Sequence, residues 1–140
     1  MRVVGVDLGT RRIGVAVSDS GGRVATAHTV LERTGDVAAD QAALAAVVAE
    51  LAAEAVVVGL PLSLDGTAGP AARWAEAEAR ALAAAVAVPL HLHDERLTTV
   101  TASRRPSTGG RRPRRKRPVD DTAAAVLLQS WLDAHREETD

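Results

Sequence analysis

The unbroken apolar run from Ala55 to Leu60 most constrains how this chain can fold. Half of its six residues, AVVVGL, are β-branched and none has a polar side chain, which is typical of a strand buried on both faces. Apolar positions at helical spacing precede it from Asp36 to about Ala53, and a proline opens a second helical segment from Pro70 to about Ala87. A buried strand between two helices predicts an α/β fold with helices on both faces of a sheet.

Two further apolar runs lie near the start of the chain, on either side of a short turn. Arg2 to Val6 has the pattern of a strand that ends at Asp7, and Arg12 to Ser18 follows after Leu8-Gly9-Thr10. So short a connection predicts an antiparallel hairpin with Asp7 at the rim of the sheet. An aspartate before such a turn often only caps the turn backbone, so Asp7 by itself indicates either a cap or a functional carboxylate.

Shorter runs complete the predicted sheet. A third strand is expected from Val24 to Val30 and a fifth from Val88 to His93. With strands 1–3 antiparallel and strands 4–5 parallel, the expected architecture is a five-stranded mixed sheet in a single domain, residues 1–140. On the second helix, the large side chain of Trp74 is expected in the core.

Two acidic pairs lie where predicted elements end or begin. Asp94 and Glu95 follow the fifth strand, close to an arginine and two threonines. Asp120 and Asp121 precede the last helix, whose apolar stripe starts at Ala124. Such carboxylates suit a cation and a phosphate together, but acids in a first turn also simply complement the helix dipole. Periodicity alone does not choose between Asp120 and Asp121.

Residue types exclude several classes of protein. The chain has no cysteine, so it forms neither a disulfide framework nor a thiolate metal site, in keeping with a cytoplasmic location. No apolar stretch is long enough to span a membrane. His91 and His93 alternate onto one strand face, but without a third nitrogen or sulfur ligand nearby this pattern favours packing over a metal pair. With two tryptophans and no phenylalanine or tyrosine, the chain is expected to hold nucleic acid mainly by its backbone.

The charges are distributed unevenly. Eight of the 17 basic residues, and none of the 18 acidic ones, lie between Arg104 and Arg117, so the rest of the chain is strongly acidic. An acidic body repels polyanions, and phosphate binding would therefore need this segment, bound cations, or both. The same composition, with prolines and glycines that interrupt any helix, also fits a solvated flexible loop at about 104–118.

Four stretches carry a resemblance to a known family: GVDLGTRRIGVAVSD, VVGLPLSLDGT, HDERLTTV and VDDTAAAVLLQSWLD. They resemble, in order, the signature stretches of the YqgF (RuvX) family of the ribonuclease H-like superfamily. Its members are described as Holliday junction resolvases and as nucleases that mature small-subunit ribosomal RNA. GVDLGT alone would be a weak signal for the family, since actin-like and sugar-kinase ATPases share its pattern. DERLTT followed by the VDDTAA helix makes the match specific. The segment ASRRPSTGGRRPRRKRP departs from the family, which has a longer apolar helix there.

The resemblance implies a catalytic set of three carboxylates, Asp7, Glu95 and Asp120. These would be the ligands of Mg²⁺ or Mn²⁺, with two ions the expected number, and physical chemistry agrees because both cations prefer oxygen ligands. The phosphate contacts that we expect next to the metal site are Arg11, Arg12, Arg96, Thr98 and Thr99. Those expected to hold more distant backbone are Arg111, Arg112, Arg114, Arg115, Lys116 and Arg117.

The leading hypothesis is therefore a metal-dependent endonuclease that processes the 5′ end of pre-16S rRNA, with a ribosomal precursor particle as a further partner and a monomer or homodimer as its form. One alternative is a resolvase that cuts branched DNA. Another is an RNA-binding assembly factor without catalytic activity, which would lose nothing when Asp7 is replaced. An ATPase of the sugar-kinase type is disfavoured because that fold needs two such domains around the nucleotide and 140 residues supply one.

Overall fold

The computed structural model describes residues 1–61, 69–94 and 122–139. The basic segment predicted at about 104–118 lies outside the described residues. The elements, in chain order, are β1 (Val3–Leu8), β2 (Arg12–Ser18), β3 (Ala25–Glu32), α1 (Val37–Glu50), β4 (Ala55–Leu60), α2 (Pro70–Ala85), β5 (Leu90–Asp94) and α3 (Ala123–Thr139).

The five described strands form one mixed sheet in the order β3-β2-β1-β4-β5. β1 pairs antiparallel with β2, and β2 pairs antiparallel with β3. β4 lies parallel to β1 on one side and to β5 on the other. The α/β architecture predicted from the strand patterns is confirmed, and the carboxyl ends of β1, β4 and β5 consequently meet at one edge of the sheet, which we call the carboxyl edge.

Two hydrophobic clusters cover the two faces of the sheet. Alternate residues of β1, β2 and β4 pack against α1 and α2, and those between them pack against α3. Leu44 and Leu82 anchor the first cluster, and Leu128 and Trp131 anchor the second. The pattern explains why β4 has no polar side chain, since helices bury it from both sides.

Helix α3 lies directly on β1. A Cβ atom at Gly5 would stand 2.7 Å from the Cβ of Leu128 and 3.2 Å from the carbonyl oxygen of Ala124, so only glycine permits this approach. The close approach holds the first turns of α3 against the strand that bears Asp7. The missing side chain at Gly5 thereby allows the start of α3 to lie close to the strand that carries Asp7.

The structure corrects the predicted end of the first strand and one burial prediction. β1 continues through Leu8, so Asp7 lies inside the paired strand. Trp74 is 41% exposed, and the prediction that it belongs to the core was wrong. Trp74 lies beside the buried stripe of α2, which consists mainly of small residues. The members of the stripe are Ala72, Ala75, Glu78, Ala79 and Leu82.

None of the helices in the described ranges is long and apolar enough to cross a membrane.

The connection between β2 and β3 depends on one carboxylate, and this gives a pH-dependent prediction. Asp19 Oδ1 accepts backbone N–H groups of Arg23 at 2.8 Å and Val24 at 3.0 Å. The hydrogen bonds from Val24 and Arg23 lower the pKa of Asp19 in the folded protein. The stability that the ionised carboxylate contributes is therefore complete above its pKa in the unfolded chain, about 4, and is lost as pH falls through its pKa in the folded protein. We expect Asp19→Asn to be less stable than wild type at neutral pH. Urea unfolding should show this difference shrinking as pH falls below about 4, and a constant difference would contradict the prediction.

Candidate active site at the carboxyl edge

Asp7 occupies the carboxyl edge on the face covered by α3. It pairs with Gly14 of β2 and is half-buried. Val3 packs against α3 and its neighbour Val4 against the opposite helices, so alternation along β1 turns Asp7 towards α3. A Cβ atom at Gly14 would lie 3.8 Å from the Cβ of Asp7 and 3.4 Å from that of Ala124. Asp7 is therefore close to the first turn of α3, where the helix dipole favours negative charge.

The turn after Asp7 is closed by its own backbone. The N–H of Gly9 donates to the carbonyl of Arg12 at 3.0 Å. A Cβ atom at Gly9 would stand 2.6 Å from that same carbonyl oxygen, so the turn requires glycine at this position. The turn brings Thr10, Arg11 and Arg12 to the rim beside Asp7, where all three are exposed.

An arginine that the sequence patterns did not single out holds this turn in place. Arg33 donates through Nε to the carbonyl of Gly9 at 2.7 Å, and its backbone N–H donates to the carbonyl of Arg11 at 2.9 Å. Its two terminal nitrogens donate to the carboxylate of Glu78 at 2.8 and 2.9 Å. The side chains are only 11% and 6% exposed, and the bonds to Glu78 raise the pKa of Arg33.

Glu78 offered the one sequence signal for this ion pair, which we call the Arg33–Glu78 anchor. It is an acid within the apolar stripe formed by Ala75, Ala79 and Leu82 on α2, and a buried acid in such a stripe needs a cationic partner. Nothing in the local pattern names the partner, which lies 45 residues away. The anchor joins the turn after Asp7 to α2.

The end of β5 and the start of α3 meet the same edge. Asp94 is the last residue of β5, pairs with Leu60 of β4 and is half-buried. At the beginning of α3, the Oγ1 of Thr122 accepts the N–H of Ala125 at 3.2 Å, as an N-cap residue does. β5 therefore ends at the carboxyl edge, and α3 begins there.

The histidines of β5 pack against α3, as the sequence analysis favoured. His93 Nε2 lies 3.0 Å from Ser130 Oγ, and the ring of His91 lies 5.4 Å from that of Trp131, which stacks on His135 at 4.1 Å. Burial lowers the pKa of His93, nearby His135 lowers it further, and Asp94 opposes the change. Within the described ranges, no group of three or more His, Asp or Glu side chains is arranged to hold a metal ion.

An open cleft of about 490 Å³ lies beside the turn on the side of β3 and α1. Its rim carries Arg11 and Arg12, and Arg12 Nε lies 3.4 Å from Glu32 with both side chains largely exposed. An ion pair so exposed is weak and opens readily to a phosphate. The residues that line the cleft are Thr10, Arg11, Arg12, Glu32, Arg33, Gly35, Val37 and Asp40.

The structure brings together three of the predicted site residues, Asp7, Arg11 and Arg12, at one corner of the carboxyl edge. The other predicted residues lie outside the described residues: Glu95, Arg96, Thr98, Thr99, Arg111, Arg112, Arg114, Arg115, Lys116, Arg117, Asp120 and the alternative Asp121.

Comparison with known proteins agrees with the fold and the motifs. A family model described as "RuvX: Holliday junction resolvase" matches residues 1–134. A protein of Myxococcus xanthus named "Putative pre-16S rRNA nuclease" is 47% identical over 97% of this chain and 90% of its own length. One of the same name from Anaeromyxobacter dehalogenans is 49% identical over 95% and 97%. The structure of Thermus thermophilus RuvC in complex with a Holliday junction substrate superposes with a TM-score of 0.67 at 18% identity, over 99% of this chain and 97% of that one, and so shares the fold.

Proposed function

The chain belongs to the RuvX family, and from that premise we propose that it is a divalent-metal-dependent endonuclease that processes the 5′ end of pre-16S rRNA. The names of its relatives support a nuclease acting on this precursor. The observation that carries the proposal is the position of Asp7 at the carboxyl edge, beside the first turn of α3. Ligand sites in open α/β sheets lie at this edge.

The catalytic set in this proposal is Asp7, Glu95 and Asp120. Glu95 is the next residue in sequence after Asp94, with which β5 ends, and Asp120 precedes Ala123, with which α3 begins, by three residues. The other two carboxylates thus lie within three residues in sequence of elements that end or start at the edge of Asp7. Asp121, beside Asp120, is the alternative third ligand.

The donor set fits Mg²⁺ or Mn²⁺, since carboxylate oxygens are the ligands these cations prefer and the chain has no cysteine. Held by these carboxylates, the bound cations would supply activation of a water molecule and stabilisation of the leaving oxygen in phosphodiester hydrolysis. The carboxylates act as ligands and not as the nucleophile. Asp7 would provide a ligand from within the paired strand β1, opposite Gly14 of β2.

The arginines at the rim have a separate task. Arg11 and Arg12 project from the turn next to Asp7 and would neutralise phosphates on either side of the cleaved bond. Arg96, Thr98 and Thr99 follow Glu95 in the sequence. We assign them phosphate contacts too, through charge for Arg96 and through hydroxyl hydrogen bonds for the two threonines. Contacts of this type position the strand without reading its sequence.

Cleavage assays with two substrates test the proposal and separate it from its main rival. The description of the family model favours a resolvase of branched DNA as the second candidate. A labelled pre-16S rRNA fragment and a four-way DNA junction would be incubated side by side with Mg²⁺, Mn²⁺ or EDTA. Metal-dependent cutting of the RNA at its 5′ end supports the proposal, whereas cutting of the junction alone supports the resolvase.

The basic segment gives a prediction about binding. We expect replacement of Arg111, Arg112, Arg114 and Arg115 by glutamine to weaken binding to all sequences by a similar factor, because phosphate contacts carry no sequence information. The slope of log affinity against log salt should become shallower by about 0.7 to 0.9 for each phosphate that the variant no longer neutralises. Titrations at several salt concentrations measure both quantities, with Arg80→Gln on α2 as the control. Weaker binding to one sequence alone would contradict the prediction.

A further inference from the structure

Trp74 differs from the other tryptophan of the chain in its surroundings. Trp131 is only 6% exposed and contacts two histidine rings on the sheet side of α3. Trp74 is 41% exposed, on the second helix, in a chain that has no phenylalanine or tyrosine. Along the described part of α2 no other large hydrophobic side chain is exposed. Trp74 is thus the one large apolar side chain that α2 exposes within the described residues.

The indole is held close to the turn that follows Asp7. The guanidinium carbon of Arg33 lies 5.0 Å from the centroid of the Trp74 ring, a cation–π contact. The same guanidinium group donates to the carbonyl of Gly9 and to Glu78, which lies one helical turn after Trp74. Residues four apart share a helix face, so α2 presents Trp74 and Glu78 together towards Arg33. The Arg33–Glu78 anchor therefore fixes the indole relative to the carboxyl edge.

We infer that Trp74 is a stacking platform for an unpaired base of the nucleic-acid substrate, near the cleaved bond but not at it. Every nucleobase has a π face that can stack on an indole. Asp7 faces α3, whereas Trp74 belongs to the helix layer on the other side of the sheet, so a single strand that crosses the rim would reach both. Arg11 and Arg12 lie on the turn between them and would hold the backbone of that strand. The inference rests on the proposed function, and it adds a contact to bases where the other contacts are to phosphates.

Binding of two matched strands tests this inference. The probes are a short single-stranded oligoadenylate RNA and an abasic strand of the same length, which has the same phosphates but no bases. Asp7→Asn protein in Mg²⁺ serves as the parent, so that the RNA stays intact. We expect the added change Trp74→Leu to weaken oligoadenylate binding about tenfold and to leave the abasic strand unaffected. Trp74→Phe should keep most of the affinity, and oligoadenylate should quench the fluorescence of the parent but not of the Leu variant.

The control is Leu92→Ala, which removes an equally exposed side chain, also 41%, from β5. It should bind both strands as the parent does. Equal oligoadenylate binding by Trp74→Leu and the parent, or an equal loss for both strands, would overturn the inference while leaving the nuclease proposal intact. A parent that binds neither strand would also overturn the inference, and the cleavage assays decide the nuclease proposal independently.

Discussion

Replacing Asp7 with asparagine should lower metal-dependent cleavage about 10³-fold. Metal ions contribute several kcal/mol of transition-state stabilisation, and each 1.4 kcal/mol or so corresponds to a factor of about ten in rate. Asparagine has nearly the same shape as aspartate and fits the same place in β1 opposite Gly14, so the loss should come from the missing charge. Gel assays on the RNA substrate at saturating Mg²⁺ measure the rate.

The matched control for Asp7 is Glu54→Gln, which neutralises an exposed carboxylate next to the first residue of β4, at the opposite edge of the sheet. It should cleave as wild type does. Nucleic-acid binding and the circular dichroism spectrum of Asp7→Asn should also match those of wild type. If Asp7→Asn bound RNA normally and neither it nor wild type cut either substrate with any metal, the alternative of an assembly factor without catalytic activity would replace the nuclease proposal.

Glu78→Gln should lower the free energy of unfolding by about 3 kcal/mol, because it leaves the buried Arg33 guanidinium without its carboxylate. For a chain of this length the midpoint of thermal unfolding should fall by about 10 °C. Removing one partner of a buried ion pair is costly since the desolvated charge that remains has no compensation. Urea and thermal unfolding, followed by circular dichroism, measure the effect.

A neighbouring pair on the same helix provides the control for Glu78. Glu76 pairs with Arg80 at 2.9 Å, but these side chains are 36% and 78% exposed. Glu76→Gln should therefore change stability by less than about 0.5 kcal/mol. The double variant Arg33→Met with Glu78→Leu should be less destabilised than Glu78→Gln, because apolar side chains can replace a buried pair. Equal losses for Glu76→Gln and Glu78→Gln would show that burial of the anchor adds nothing.

The anchor also concerns activity, since Arg33 holds the carbonyl of Gly9, two residues after Asp7. A loosened turn would misplace both Asp7 and the arginines at the rim, and small misplacements of catalytic groups have large effects on rate. Cleavage by Glu78→Gln, measured well below its melting temperature, should therefore be slower than that of Glu76→Gln.

Much of the fold was predicted from short-range patterns. The run at Ala55–Leu60 matched β4 residue for residue, and the strand from Arg12 to Ser18 matched β2. Buried strands and amphipathic helices repeat their apolar residues every two or about 3.6 positions, so a short window is enough to recognise them. Strand ends were predicted less accurately. β3 runs to Glu32, two residues beyond the expected end at Val30, because Glu32 still pairs with Arg12, the first residue of β2.

Trp74 shows where such patterns fail. Large apolar residues are usually assigned to the core, but the buried side of α2 holds only alanines, one leucine and Glu78. The space between a helix and a sheet depends on how closely the two approach, which is a property of the assembled layers. The side chain that does not fit remains at the surface, where it can contact a ligand.

The motifs of this chain determine its family, the class of its fold and the carboxylates that we assign to the metal site, because those features depend on residue type and spacing along the chain. The arrangement around Asp7 came from the tertiary structure. Gly9, Arg33 and Glu78 meet there from three separate parts of the chain, and Gly5 lets α3 come close to β1. The order of strands in the sheet and the packing of helices on it bring these residues together, and no spacing within one segment encodes a contact between segments.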